Sequence, residues 1–176
     1  MLPTATQTAP AALASLVKDN TTYNLWANCQ LVKWLKTKPE ALFEEEVASS
    51  FPSLKATLVH IWDVERCWLG HLKQSPVRSF RLEGFDGTLE EIFDGILEQS
   101  EAIDDYASFL TQSQLQEGCF FAIPYVGNHT VPAFAIIHHT INHSTYHRGQ
   151  LITIGRNLGL TDAPMTDYMY YLLRVK

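Results

Sequence analysis

A chain of 176 residues with a formal charge of −6, 46% hydrophobic and 18% charged, is of a size to bury most of its apolar surface around one core, and is read as one domain over residues 1–176. An acidic balance argues against a general affinity for nucleic acid, which needs a basic face, and no apolar run approaches the length of a membrane span. Cys29, Cys67 and Cys119 are odd in number, far apart and without a CxxC pair, so neither a disulfide framework nor a zinc ribbon is indicated; with no signal-peptide pattern at the start, a cytoplasmic protein is expected.

The first predicted helix runs from about Ala11 to Lys36, where Leu13, Leu16, Val17, Ala27, Leu31 and Leu35 keep helical spacing, and Pro39 ends it. Asn20, Asn24 and Asn28 fall on its apolar stripe, within about 40° of one another's mean direction, and buried amides need partners. A connection to Pro52 carries the acidic run Glu44, Glu45, Glu46, read as a solvated surface. Ser53 is the expected N-cap of the second helix, which ends near Leu72. On it His60 shares a face with Thr57, Val64, Cys67 and His71, whereas Lys55, Glu65 and Arg66 fall on the far side and Asp63 at the border.

Residues from Ser75 to Gly87 read as a loop, after which Thr88 and Glu91 form the capping box of a third helix that offers no metal ligand and serves as a wall. Between Gly118 and Val131 the aromatic, β-favouring stretch predicts a short hairpin or extended flap with a turn at Gly127 and Asn128. Thr130 and Pro132 open the fourth helix, expected to run to about Leu158 with Gly159 as its stop. Arg148 and Arg156 are its only full charges, so a partner subunit is expected to cover part of it, giving a homodimer.

That fourth helix contains HHTINHSTYHRGQL, with four of the chain's seven histidines. His139, His143 and His147 recur every four residues and share one side of a helix, a spacing at which two imidazoles grip one metal ion. Buried imidazoles each need partners for two nitrogens, and a metal meets much of that need. The candidate ligands are His143 and His147, with His60 reaching across from the second helix and His139 as a rival ligand one turn earlier. Asn24, Asn28, Asp63, Asn142 and Gln150 are the candidates to orient the rings by hydrogen bonds. Imidazole suits Zn, Ni, Cu and Fe, with Zn or Ni favoured, and three histidines leave a position open for water or substrate. The sequence lacks the glutamate of a zincin, the paired Glu-x-x-His of a di-iron bundle, a phosphate loop and a nucleophile elbow.

YNLWAN at 23–28, FPSLKATLVHI at 51–61, NHSTYHRGQ at 142–150, the following GRNLG and the closing TDYMYYL resemble the DinB family of damage-inducible, metal-dependent four-helix proteins over nearly the whole chain. The resemblance implies an all-α four-helix bundle and places the family's metal-binding triad on His60, His143 and His147. It further implies kinship with enzymes that join low-molecular-weight thiols such as bacillithiol, mycothiol or glutathione to small electrophilic molecules. The expectation is therefore a metal-dependent thiol S-transferase; the alternatives are a metal-dependent hydrolase and a non-catalytic, stress-related metal-binding protein in which His139 closes the coordination sphere.

Overall fold

The computed structural model describes residues 9–75, 82, 84–124 and 127–176. Four long helices dominate: α1 (Ala9–Leu35), α2 (Leu54–Leu72), α3 (Leu89–Ser108) and α5 (Ala133–Asn157). Between the last two lie a short helix, α4 (Gln112–Gln116), and an antiparallel hairpin of β1 (Gly118–Ile123) and β2 (Gly127–Pro132); α6 (Tyr168–Arg174) follows α5. Both α1 and α2 pack against α3 and α5, which puts α1 and α2 at opposite corners of a four-helix bundle. The fold is all-α apart from the hairpin, and no helix among the described residues is long and apolar enough to cross a membrane.

Local sequence sets the boundaries. Ser53 Oγ accepts from Ala56 N at 3.1 Å to cap α2, and Thr88 and Glu91 form the reciprocal box that opens α3. Gly159, at φ +85°, ends α5 in a Schellman turn, with Leu160 N on Gly155 O at 2.8 Å and Gly159 N on Arg156 O at 3.0 Å. A side chain at Gly95 would sit 2.3 Å from the Trp62 indole, so this glycine is what lets α2 and α3 approach.

The interior is layered. One apolar cluster fills the end built by Leu31, Leu35, Leu58, Ile92, Ile96 and Leu151, and a second fills the end built by Val17, Leu72, Ala107, Phe121, Ile136 and Ile137. Between them lies a polar layer. Glu65, fully buried, accepts from Asn24 Nδ2 at 2.8 Å, Asn28 Nδ2 at 3.2 Å, Ser144 Oγ at 2.6 Å and Ser100 Oγ at 2.8 Å. Arg148, 2% exposed, donates to Asn24 Oδ1 at 2.5 Å, Asn28 Oδ1 at 3.0 Å and Thr145 Oγ1 at 2.7 Å. One carboxylate on α2 thus receives bonds from α1, α3 and α5, and two amides carry its charge to a guanidinium.

Several boundaries differ from the expectation. Gly127 pairs with Ile123 and Asn128 with Ala122, so both belong to β2 rather than to the turn; residues 125 and 126 lie outside the described residues, as does most of the loop read between Ser75 and Gly87. Thr130 pairs with Phe120 inside β2, and α5 starts only after Pro132, because a strand partner was available to it. The 3₁₀ turn Glu40–Phe43, α4 and α6 are too short for periodicity to reveal.

Candidate metal centre

His60 lies in the second turn of α2, and His143 and His147 face it from α5. The i, i+4 spacing on α5 brings those two ring centroids to 4.3 Å, and His60 stands 4.9 Å from the first and 4.6 Å from the second. One ring nitrogen from each lies within 4.8 Å of the other two. His60 Nε2 and His143 Nε2 are 3.0 Å apart, so in one tautomer the N–H of one ring donates to the lone pair of the other. Two nitrogens bound at the usual Zn–N distance of about 2.0–2.1 Å to one tetrahedral ion lie roughly 3.3 Å apart, close to the His60–His143 separation, so the donor set could hold a divalent transition metal with His147 drawn in to match.

Hydrogen bonds and burial prepare the rings. His147 Nδ1 bonds Gln150 Oε1 at 2.6 Å, which leaves Nε2 as its ligand atom, and Gln150 Nε2 is anchored on Ser50 Oγ at 3.0 Å and Tyr146 Oη at 3.1 Å. Phe51 stacks on His60 at 4.0 Å and meets His147 edge-on at 5.6 Å. Burial, with the neighbouring His147, pushes His60 down to about 4; burial, with His147, His60 and His139, pushes His143 down to about 3. Burial also lowers His147, against the opposing hydrogen bond to Gln150. All three rings are neutral at pH 7 and offer lone pairs. His143 Nδ1 is buried without a hydrogen-bond partner among the described residues.

Two cavities adjoin the cluster. The larger, about 500 Å³, touches only His60 among the three and is bordered by Phe51, Ser53, Lys55, Val59 and Asp63. The smaller, about 190 Å³, is walled by both His60 and His143, with Val64, Cys67, Trp68, Ile123 and His139. Its position against two of the three histidines, not its size, makes it the cavity nearer the candidate metal centre.

Comparison with known proteins agrees with this architecture. The family model described as DinB family matches residues 15–173. The chain belongs to the DinB family. It is 30% identical over 162 residues to "Protein DinB" of Bacillus subtilis (strain 168), covering 88% of this chain and 92% of that protein. A DinB-like protein from Bacillus cereus ATCC 10987 superposes with a TM-score of 0.65 at 22% identity, over 82% of this chain and 91% of its own. A second DinB-like protein, YjoA from Bacillus subtilis, gives 0.57 at 17% identity over 89% and 97%. At those identities the two structures speak for the fold alone.

The structure of this DinB-family chain sorts the remaining sequence candidates. Gln150 lies against His147. His139 stays outside the cluster: its ring is edge-on to Trp68 at 5.0 Å and 6.1 Å from His143. Asn24 and Asn28 bond Glu65 and Arg148 rather than imidazole, because both amides face the bundle axis and the histidines occupy the α2–α5 seam. Asp63 accepts from Arg66 Nη2 at 2.6 Å and from Leu82 N at 3.1 Å, and Asn142 bonds the exposed His138 at 3.0 Å. Glu65, assigned to the far side of α2 from its angle to His60, is instead fully buried. Its signal was present: Leu58, Ile61, Leu69 and Leu72 all lie within about 40° of it on the helix, an apolar stripe centred on a glutamate. Phe51 precedes α2 in the chain and was beyond the reach of helical periodicity.

Proposed function

We propose that this DinB-family chain binds one divalent transition metal, Zn or Ni, on His60, His143 and His147 and transfers a low-molecular-weight thiol to a small electrophilic molecule. The observation that carries the reading is the convergence of three neutral ring nitrogens with no fourth protein ligand grouped with them among the described residues and a cavity against two of them. A coordination sphere of that kind keeps a position open, as catalytic sites require and closed structural sites do not. When bound, the ion would lower the pKa of a coordinated thiol so that the thiolate nucleophile exists near neutral pH.

The residues then divide the work. Gln150 keeps the proton of His147 on Nδ1 and so holds Nε2 toward the cluster. Phe51 covers one face of His60 and screens it from water. In the transfer the thiol proton passes to solvent and the sulfur lone pair forms the S–C bond. The bond from carbon to its leaving group breaks, and that group departs with the electron pair. Assembly as a homodimer in the cytoplasm belongs to the same reading; the exposed face of α5 around Asn142, Thr145, Tyr146, Gly149 and Thr153 carries no charge and suits a partner subunit.

The test starts with protein purified without a metal-affinity step. Elemental analysis should find about one equivalent of metal in the wild type and none in His60→Ala or His143→Ala; unchanged content in both variants removes the site. Monochlorobimane with glutathione, mycothiol or bacillithiol should then give conjugate only with the metal-loaded protein. Ester cleavage without thiol would point to hydrolysis, and no turnover of either kind to a non-catalytic metal-binding role. Light scattering on a sizing column checks the dimer, and a monomer at micromolar concentration refutes it.

A further inference from the structure

The smaller cavity differs from an ordinary surface dent in what its walls lack. Among the described residues no fully charged side chain borders it, and beside His60 and His143 its wall is Val64, Cys67, Trp68, Ile123 and the imidazole of His139. Val64 and Cys67 are 6% and 4% exposed, so the floor is core-like. Trp68 is held in place by edge contacts with His139 at 5.0 Å and Phe121 at 5.1 Å. Ile123, the last residue of β1, also lines it, which gives the hairpin a part in shaping the cavity.

We infer that this cavity is a binding subsite for one uncharged aromatic ring of the substrate, seated between Trp68, Val64 and Ile123 with its reactive substituent toward His60 and His143. The inference rests on the metal-dependent reading above for the identity of the reacting end, though ring binding itself does not. Size decides for one ring: an apolar protein cavity of about 150 Å³ holds one benzene molecule, and the volume here is about 190 Å³. The wall chemistry decides for an aromatic, because indole and imidazole rings present edges and faces that add to simple burial. A cationic group would lose its hydration to walls that offer it no carboxylate among the described residues. The ~500 Å³ cavity, bordered by Lys55, Glu44 and Asp63, has the opposite character.

The experiment measures binding by fluorine NMR on the metal-loaded wild type, with 4-fluorobenzyl alcohol, 4-fluorobenzylammonium and 6-fluoro-2-naphthalenemethanol as probes. The neutral single ring should broaden saturably at millimolar concentration, and the charged and two-ring probes should not. Ile123→Trp, at a half-buried position on the hairpin, fills the cavity and should weaken the single ring about tenfold. Ile123→Ala should admit the two-ring probe while metal content stays at the wild-type value in both variants. Equal binding of the charged probe, or affinities indifferent to both substitutions, overturns the inference. Metal content is read on the same samples: a protein that takes the ring but no metal keeps the subsite and loses the metal reading, and one that takes metal but no ring does the reverse.

Discussion

Two polar clusters share α2 and α5 and have opposite character. Glu65, Ser144 and Arg148 meet Asn24, Asn28 and Ser100 on the bundle axis, and every charged or amide group there is bonded. His60, His143 and His147 meet on the α2–α5 seam, with nitrogens aimed at one another and an orphaned Nδ1 on His143. On α5 the two clusters interleave: Ser144 and Arg148 follow His143 and His147 by one residue each, about 100° around the helix. A network that satisfies itself fixes the rotation of its helix, and that rotation aims the neighbouring histidines. An unsatisfied network is what a ligand completes. The first cluster is therefore built to hold the bundle together, and the second is the one that a metal ion would complete.

The sharpest way to break that division is Glu65→Ala. It leaves Arg148 as a buried charge with two amides and two hydroxyls short of an acceptor, and should cost about 3–5 kcal/mol in urea unfolding of the metal-free protein. Replacing Glu65 and Arg148 together by leucine should recover most of the loss, since removing both charges leaves neither unpaired. His143→Ala should change metal-free stability by less than about 1 kcal/mol yet abolish bound metal. If the histidine variant were as unstable as the glutamate one, the two clusters would not be separable.

The contrast also explains what the sequence disclosed. The histidine cluster was legible because a shared metal would impose a spacing, i and i+4, that stands out on one helix, and His60 was the candidate to reach across to it from the second helix. The hub was half legible. Asn24 and Asn28 announced buried partners, but measuring α2 from His60 made that residue the centre of the inward face and sent Glu65 outward. The histidines lie at the flank of the buried surface, and the centre is Glu65. Periodicity gives the relative angles of side chains on one helix; it does not say which angle points at the axis, which depends on where the other helices stand. The capping boxes and Gly159 needed no such information, being decided within a few residues, so the long helices were readable almost to their ends.

Two further tests bear on the chemical cluster. Gln150→Leu removes the acceptor that holds the proton of His147 on Nδ1 and should weaken metal affinity about 10- to 100-fold, read by competition with a chromophoric chelator, with unfolding stability nearly unchanged. Acid supplies the other. Burial holds His60 at about 4 and His143 at about 3 in the folded chain, below the ordinary value near 6.5. As pH falls, the unfolded chain takes up these protons first. The histidines' contribution to metal-free stability is thus whole above pH 6.5 and is lost as pH descends from there toward 4 and 3. Urea midpoints at pH 7.5 and 5 should show the fall, and His60→Phe should flatten it; a slope identical in that variant would assign the effect to other groups.

The smallest effect expected is that of Ser53→Ala, which asks how far the chemical cluster depends on the ordinary stability of its helix. Ser53 Oγ caps α2 through Ala56 N, and its loss should cost about 1 kcal/mol. The damage is local, because fraying reaches the first turn, Leu54 to Thr57, while His60 sits one turn further on with Phe51 stacked against its ring. Leu54 and Leu58 are 0% and 2% exposed and anchor that turn in the core whether or not the cap is made. Metal affinity should therefore change less than about twofold, well under the 1.4 kcal/mol that marks a tenfold difference. A larger loss of affinity at equal stability would mean that the cap, by fixing the path of Phe51 into α2, positions the ring over His60. The metal centre would then depend on the segment before α2 as well as on the two helices that carry its ligands.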